Sequence, residues 1–490
     1  MSEWSPRLRR CVLGLVPFAA LALARISVFA EGDTFWGVRT GQRIVAQHST
    51  HLHDNLSWTR AGVAWHPNEW GYDVALWLAY RADGVVGLQI LLAATILLLG
   101  AVVLLAVRAF QGSARDAYWV GLFLCPLLLV WVSARAQTIS YAMQLLELLL
   151  LARLFTARGR AVCVWAAALL GLQVVWVNVH EAALSGVAIA SGAAALRGLT
   201  LLRNRALNLR TASRIATGPV LVLLGSLVGP SGWTVISNSE KTRAASAGVI
   251  TEWDSIWHAT PAVLVEGGFG LVLLLVVAHI WRRERGTSLE VLADIWFGAA
   301  LTSAFASIFV VRFIAPLLLI GIVAAIAAVR SEQVQARVTT HRILLNVGAT
   351  AVGLILAFVG VLQLTRAGEP TSTNFPSAQL VDAIPANCQL LNEYGDGGWI
   401  SLLRWPAVQV SQDGRNVLYG KALLSREQDL LAGRQGVAGL AAFGATCVLA
   451  KPSDGVVRDL ADDPQWVLTG RDSQRVLYVR KLNPSTTGPD

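Results

Sequence analysis

The sequence predicts a polytopic α-helical membrane protein of about 11 transmembrane helices, with a small external α/β domain at its C-terminus. Three observations predict it. Of 490 residues, 54% are hydrophobic and only 14% are charged, whereas a soluble domain carries about a quarter charged residues. The apolar residues fall in blocks of about 20, the length that spans a bilayer core roughly 30 Å thick. Beyond residue 365 the blocks give way to short β-rich and helical runs. This balance excludes a cytosolic enzyme, a disordered chain and a disulfide scaffold.

Taken in order, the first apolar run (residues 11–30) follows Arg7, Arg9 and Arg10. Val28-Phe29-Ala30 resembles a signal-peptide cleavage site, but the run is long for that role and reads as a retained helix. Further runs lie at 84–107, 117–133, 139–156, 161–178, 182–202, 216–236, 261–281, 292–311, 313–330 and 343–364. Alternate connections hold Arg108 and Arg115, then Arg158 and Arg160, Arg203 to Arg214, Arg282 to Arg285, and Arg330 to Arg342. The others hold scattered cations only: Arg135, Lys241, Arg243, Arg312 and a few in the first loop. Cytoplasmic connections concentrate Lys and Arg, so the N-terminus is predicted inside and the C-terminus outside. The domains are 1–365, transmembrane, with a first external loop at 31–83, and 366–490, soluble and external.

Within the first loop, residues 69–81 form an amphipathic stretch suited to lying along the membrane surface. In the tail, strands are predicted at 389–394, 407–411, 447–450, 466–469 and 475–479, and helices at 422–432 and 456–461. The net charge of +9, from 40 Lys+Arg against 31 Asp+Glu, is predicted to meet membrane lipids through the inner loops. No nucleic-acid partner is expected. There is no Walker loop and no glycine fingerprint on a strand-to-helix turn.

Of five cysteines, Cys11, Cys125 and Cys163 fall in spans and read as small packing residues. Cys388 and Cys447 are the two in the external domain. In an oxidising compartment they pair; the alternative is two buried thiols. A bridge across that separation adds roughly 3–4 kcal/mol in the chain-entropy model.

Ionisable groups at membrane helices are costly and mark function by default. Here they gather on the predicted outer side. Asp33 directly follows helix one, and Asp54, Glu69 and Asp73 share its loop with Trp36, Trp58, Trp65 and Trp70. Arg135 and Gln137, His180 and Glu181, Glu252, and Arg312 occupy later outer connections. Each has a plainer alternative. Asp33 can cap a helix, the arginines can meet head groups, and the tryptophans can form an interfacial belt. Asp413-Gly414-Arg415 reads as a turn with a surface charge. His48, His51 and His53 match no metalloprotease spacing. Together, a carboxylate can act as general base on a hydroxyl, and arginines can hold a phosphate by charge-assisted bonds. That combination suits sugar transfer from a lipid-phosphate donor that enters sideways from the bilayer.

The layout resembles the membrane glycosyltransferases of the GT-C superfamily. The resemblance is carried by Asp33-Thr34-Phe35-Trp36-Gly37-Val38-Arg39-Thr40-Gly41, Trp65-His66-Pro67-Asn68-Glu69-Trp70 and Arg135-Ala136-Gln137. Trp176-Val177-Asn178-Val179-His180-Glu181, Glu252-Trp253 and Asp413-Gly414-Arg415 continue it in order. It implies an enzyme of the plasma (inner) membrane, its C-terminal domain periplasmic or extracellular. The enzyme would move a sugar from a polyprenyl-phosphate donor to a glycan, lipid or protein acceptor of the cell envelope. Asp33 is then the expected base, with Asp54 and Glu69 (and Glu31) competing as the second carboxylate. Arg135 and Arg312 would hold the lipid phosphate. Gln137, His180, Glu181 and Glu252 would line the pocket, and Trp36 and Trp70 would bind sugar. No cofactor is required by the residues, though the resemblance leaves a divalent metal (Mg or Mn) open. Two other readings stand: a non-catalytic glycan-binding assembly protein, and a transporter or flippase of polyprenyl-linked glycan. The transporter reading expects ionisable residues deep within helices and internal repeats.

Overall fold

A computed structural model describes residues 6–26, 28–29, 32–328 and 374–481. The eleventh predicted run (343–364), Glu31 and the boundary at 365 lie outside the described residues. The chain begins with α1 (Pro6–Arg25), α2 (Asp33–Gln47), β1 (Leu52–His53) and β2 (Ala64–Trp65). Long helices follow: α3 (Trp70–Ala109), α4 (Ala114–Leu128), α5 (Ala136–Thr156), α6 (Ala161–Val179) and α7 (Leu184–Arg203). Next come α8 (Leu209–Ser226), α9 (Val235–Ser246), α10 (Pro261–Arg283), α11 (Glu290–Phe309) and α12 (Ile314–Ala328). The C-terminal segment runs α13 (Ala378–Asp382), β3 (Gln389–Asn392), α14 (Gly397–Arg404), β4 (Gln409–Val410) and α15 (Asn416–Leu431). It closes with α16 (Gly436–Phe443), β5 (Cys447–Ala450), α17 (Gly455–Ala461), β6 (Trp466–Arg471) and β7 (Val476–Arg480).

Two compact units result. The helical unit contains α1, residues 83–239, and residues from Ile250 to the end of α12. Six described helices are long and apolar enough to cross a membrane: α3, α5, α6, α7 with the turn before it, α10 and α11. The other predicted runs within the described residues fall on α1, α4, α8 and α12. The predicted amphipathic stretch and the span after it form one element, α3, broken at Asp83 and Gly84. Gly84 takes φ 54° there, a backbone region open chiefly to glycine.

Small residues and polar bonds hold the helices together, as expected where lipid removes the hydrophobic drive. Arg197 on α7 reaches Glu290 at 2.8 Å and Asp294 at 2.7 Å on α11. Thr200 and Trp281 each donate to Asp294 at 2.8 Å. Gln173 on α6 donates to Ser226 on α8 at 2.8 Å. Cys125 is buried, but Cys163 is exposed on α6, so it does not fill the interior as the sequence suggested. Glu147, midway along α5, is fully buried. Neither of its carboxylate oxygens has a hydrogen-bond partner among the described residues.

The second unit joins Phe29–Ala82 and Glu240–Val249 to the described residues from Asn374 onward. The described part of the first external loop thus groups with the C-terminal residues. The reason lies in the sheet, ordered β4-β3-β5-β7-β6, with β4, β3 and β5 parallel and β7 and β6 antiparallel. β4 would present an open edge, and the loop covers it. Val410 N donates to Leu56 O and Trp58 N to Val410 O, each at 3.1 Å. Trp58 Nε1 donates to Leu390 O at 3.1 Å, and Trp405 Nε1 to Asn55 O at 2.9 Å. All five strands fall within the runs predicted for them, to within two residues.

Cys388 and Cys447 are disulfide-bonded, with Cα atoms 6.0 Å apart and 59 positions between them. The bond ties β3 to β5. Reduction is expected to remove about 4 kcal/mol on the chain-entropy estimate. A thermal melt of the full chain with and without reductant checks it, and identical midpoints would contradict it.

Burial pushes the Glu427 carboxyl up to about 8, helped by Asp413 and opposed by a 2.6 Å bond from Ser411 Oγ. A folded-state pKa above the unfolded one means the folded chain binds the extra proton, so stability falls as pH rises through this range. Glu427→Gln is therefore expected to flatten the fall in melting temperature between pH 6 and 8. A mutant with the same slope as wild type would refute this assignment.

Candidate functional site

Each unit gathers one set of the residues singled out by sequence. In the second unit Gly32 takes the N-cap of α2, so Asp33 is its first helical residue rather than its cap. Asp33 Oδ1 accepts from Trp36 Nε1 at 3.1 Å. The backbone of Gly414 passes so close that a Cβ there would lie 1.8 Å from Asp33 Oδ1 and 2.7 Å from Trp36 Nε1. Only glycine permits that approach. The Asp413-Gly414-Arg415 turn thus reaches Asp33 across nearly the whole sequence.

That turn does not carry a surface charge, as the sequence suggested. Asp413 and Arg415 are buried, their side chains 0% and 1% exposed. Arg415 Nε and Nη2 fork onto Asp413 at 2.8 and 2.7 Å, and its Nη1 reaches Asp54 Oδ1 at 2.6 Å. Its guanidinium lies over the Trp65 ring at 4.9 Å. Asp54 also accepts from Leu56 N, Ser57 N and Ser57 Oγ at 3.3, 3.2 and 2.5 Å. Its carboxylate is therefore occupied in closing its own turn and holding Arg415.

Asn416 binds Ser246 Oγ at 2.8 Å and Tyr394 Oη at 2.8 Å, fixing the start of α15. Trp36 and Trp65 are not an interfacial belt. They are 6% and 8% exposed, meet edge-to-face at 6.0 Å and share a core with Ile44, Leu52 and Tyr419. Trp70 packs partly buried against the same core. Glu69 precedes α3 and accepts from the Tyr72 and Asp73 amides through its carbonyl at 2.8 and 2.9 Å.

Sequence reasoning noted Asp73 without selecting it. It is 1% exposed, Oδ2 has no hydrogen-bond partner among the described residues, and Asp33, Glu69 and Arg415 lie within electrostatic reach. Its place four residues after Glu69, one turn into the predicted amphipathic stretch, was the available signal. His51 stacks edge-to-face on His66 at 4.5 Å. Among the described residues, no three His, Cys, Asp or Glu side chains converge as a metal ion would need.

In the helical unit the second set meets at one end of the bundle. Glu252, in the turn before α10, lies 3.7 Å from Arg135 at the start of α5 and 3.6 Å from Arg312 between α11 and α12. Arg312 Nη2 donates to Gln137 Oε1 at 2.5 Å and its guanidinium covers the Trp253 ring at 4.6 Å. Gln137 donates onward to Tyr141 Oη at 2.6 Å. His180 Nδ1 is 2.7 Å from Ser140 Oγ, which accepts from Trp176 Nε1 at 2.8 Å. Glu181, buried, opens the turn into α7.

Burial works against the Glu252 carboxylate, but Arg312, Arg135 and His180 together hold its pKa below the ordinary value. Two guanidiniums face one carboxylate. Their side chains are 15–17% exposed, a half-dry setting that favours a phosphate as the further partner.

No protein-family model matches the chain, and no curated protein matches it. Solved structures do. ArnT from Cupriavidus metallidurans, bound to undecaprenyl phosphate, superposes with a TM-score of 0.60 at 16% identity, covering 99% of both chains. The Archaeoglobus fulgidus oligosaccharyltransferase in its apo form gives 0.59 at 12% identity, over 92% of this chain and 70% of the other. The same enzyme tethered to an acceptor peptide containing the NVT sequon gives 0.59 at 11% identity, with the same coverage.

Proposed function

Proceeding from a fold shared with the GT-C membrane glycosyltransferases, we propose that this chain moves a sugar from a polyprenyl-phosphate donor to a cell-envelope acceptor. One observation carries the reading: Arg135 and Arg312 converge on a single carboxylate, Glu252, with His180 beside it. Two fixed guanidiniums around one counter-charge can accept a phosphate without rebuilding the site. ArnT, of the same fold, was solved with undecaprenyl phosphate.

Each cluster, taken by itself, suits one part of that chemistry. Asp33 takes the proton of an acceptor hydroxyl as that oxygen bonds to the anomeric carbon. The bond from the anomeric carbon to the phosphate oxygen breaks, and polyprenyl phosphate leaves with the electron pair. Arg135 and Arg312 meet the charge that develops on it. Trp36, through its bond to Asp33, and Asp54, through Arg415, position the base. Asp73 lies within electrostatic reach of Asp33, and its burial disfavours a charge on it. Gln137 and His180 orient the phosphate-binding arginines, with Glu181 as a further contact, and Trp70 is assigned to the sugar.

Arg312→Ala and Arg135→Ala are each expected to raise the donor KM by about 10- to 100-fold, because a hydrogen bond to a charged group is worth about 1.5–3 kcal/mol. Transfer kinetics with labelled polyprenyl-phosphate sugar check this. An unchanged KM in both variants would remove the phosphate role.

A second reading, transport of a polyprenyl-linked glycan, is favoured by one observation. Glu147 is an ionisable residue buried halfway along a membrane-length helix, the kind of position expected on a transport path.

A further inference from the structure

A polar crevice in the second unit shares no lining residue with either cluster. Its volume is about 430 Å³, within the range of small-ligand sites. It opens at the carboxyl ends of the parallel strands β3 and β5. The chain leaves β3 through α14 to reach β4 on one side. It arrives at β5, on the other side, through α15 and α16. Connections that diverge in this way create a gap at the strand ends, where ligands of open α/β sheets bind. Glu393 and Gly395 follow β3, Lys451 and Ser453 follow β5, and the β6–β7 turn brings Gln474 and Arg475 to the third wall.

We propose that this crevice binds a neutral sugar of the acceptor through its hydroxyl groups.

The charges inside it favour that class. Lys451 Nζ is 2.9 Å from Glu393 Oε2. Arg475 forks onto Asp396 at 2.6 and 2.8 Å. Asp454 adjoins the same group, and burial together with Glu393 lifts its pKa to about 6. Both lining cations are thus already paired, Lys451 with Glu393 and Arg475 with Asp396 behind the wall. A phosphate would have to displace Glu393 or Asp396 from its cation, and an ammonium would compete with Lys451 for Glu393. Sugar hydroxyls can donate to the carboxylates and accept from Lys451 and Asn374.

The crevice also touches the segment that carries the proposed base. Asn374 Nδ2 donates to Phe29 O at 3.2 Å, and Arg475 to Asn374 O at 3.4 Å. A Cβ on Gly32 would lie 2.3 Å from Gly395 O, and one on Gly398 would lie 2.0 Å from Gly32 O. The crevice wall therefore lies in backbone contact with the residue before Asp33. The term acceptor rests on the transferase reading; the sugar site itself does not.

The test is saturation-transfer NMR on the full chain in nanodiscs. The probes are maltotriose, cellotriose and mannotriose, with glucose 1-phosphate and glucosamine as charged comparisons. At least one neutral trisaccharide is expected to bind, about tenfold or more weakly in Lys451→Ala. Asp33→Asn should bind it unchanged. Signal from the charged probes alone, from none of the five, or undiminished in both Lys451→Ala and Glu393→Gln would overturn the inference. No sugar binding with transfer intact would overturn it alone. Sugar binding without any transfer in wild type would support it and overturn the transferase reading instead.

Discussion

Asp33→Asn is expected to lower sugar transfer by about 10²–10⁴-fold, the contribution of a positioned general base, while leaving folding and donor binding near wild type. Asparagine keeps the size of the side chain and an oxygen able to accept from Trp36 Nε1, whose bond to Asp33 is 3.1 Å. It loses the basicity. Because Asp33 is the first residue of α2, a second loss arises: a negative charge at a helix N-terminus stabilises by about 0.3–1 kcal/mol. That is too little to unfold the unit. Single-turnover rates with labelled donor separate the two effects. Near-native turnover in Asp33→Asn, with activity abolished by Asp73→Asn or Glu69→Gln, would move the base to α3 or the residue before it.

Arg415→Leu is expected to cost about 3–5 kcal/mol of stability, the usual result of breaking a buried ion pair from one side. Asp54 and Asp413, each with side chain 0% exposed, would be left as uncompensated carboxylates. The Trp65 ring would also lose its cation. Arg415→Lys should recover only part of the loss. A lysine keeps the charge but cannot bridge two carboxylates in a planar fork. Thermal melts of the full chain read this directly. A wild-type melting temperature in Arg415→Leu would show that its role is contact with substrate, not the joining of Asp54 to Asp413.

The membrane-length helices were legible because bilayer thickness imposes a length on apolar runs, and the runs end in arginines or turn residues. The strands were legible for a related reason: short apolar runs such as 447–450 are fully buried and cannot tolerate polar interruption. Pairings over long sequence distance were not legible. Asp54 and Arg415 are 361 positions apart, and nothing local marks Asp413-Gly414-Arg415 as buried rather than a surface turn. The same blindness hid the edge pairing of Leu56 and Trp58 with Val410. The proximity of the arginine cluster had a signal in the sequence. Arg135, His180, Glu252 and Arg312 all occupy helix connections of one parity, and alternating helices must bring such connections to one end. Glu147 was visible as the lone acid in the run 139–156 and was passed over in favour of charges at helix ends.

The most direct measurement reconstitutes the pure protein in liposomes with a labelled polyprenyl-phosphate sugar and a neutral oligosaccharide acceptor. It follows release of polyprenyl phosphate together with movement of intact glycolipid between leaflets. The account predicts acceptor-dependent release in wild type, its loss in Asp33→Asn, and a raised donor requirement in Arg312→Ala. Movement of intact glycolipid without cleavage, abolished by Glu147→Gln and indifferent to Asp33→Asn, would contradict it and establish a transporter.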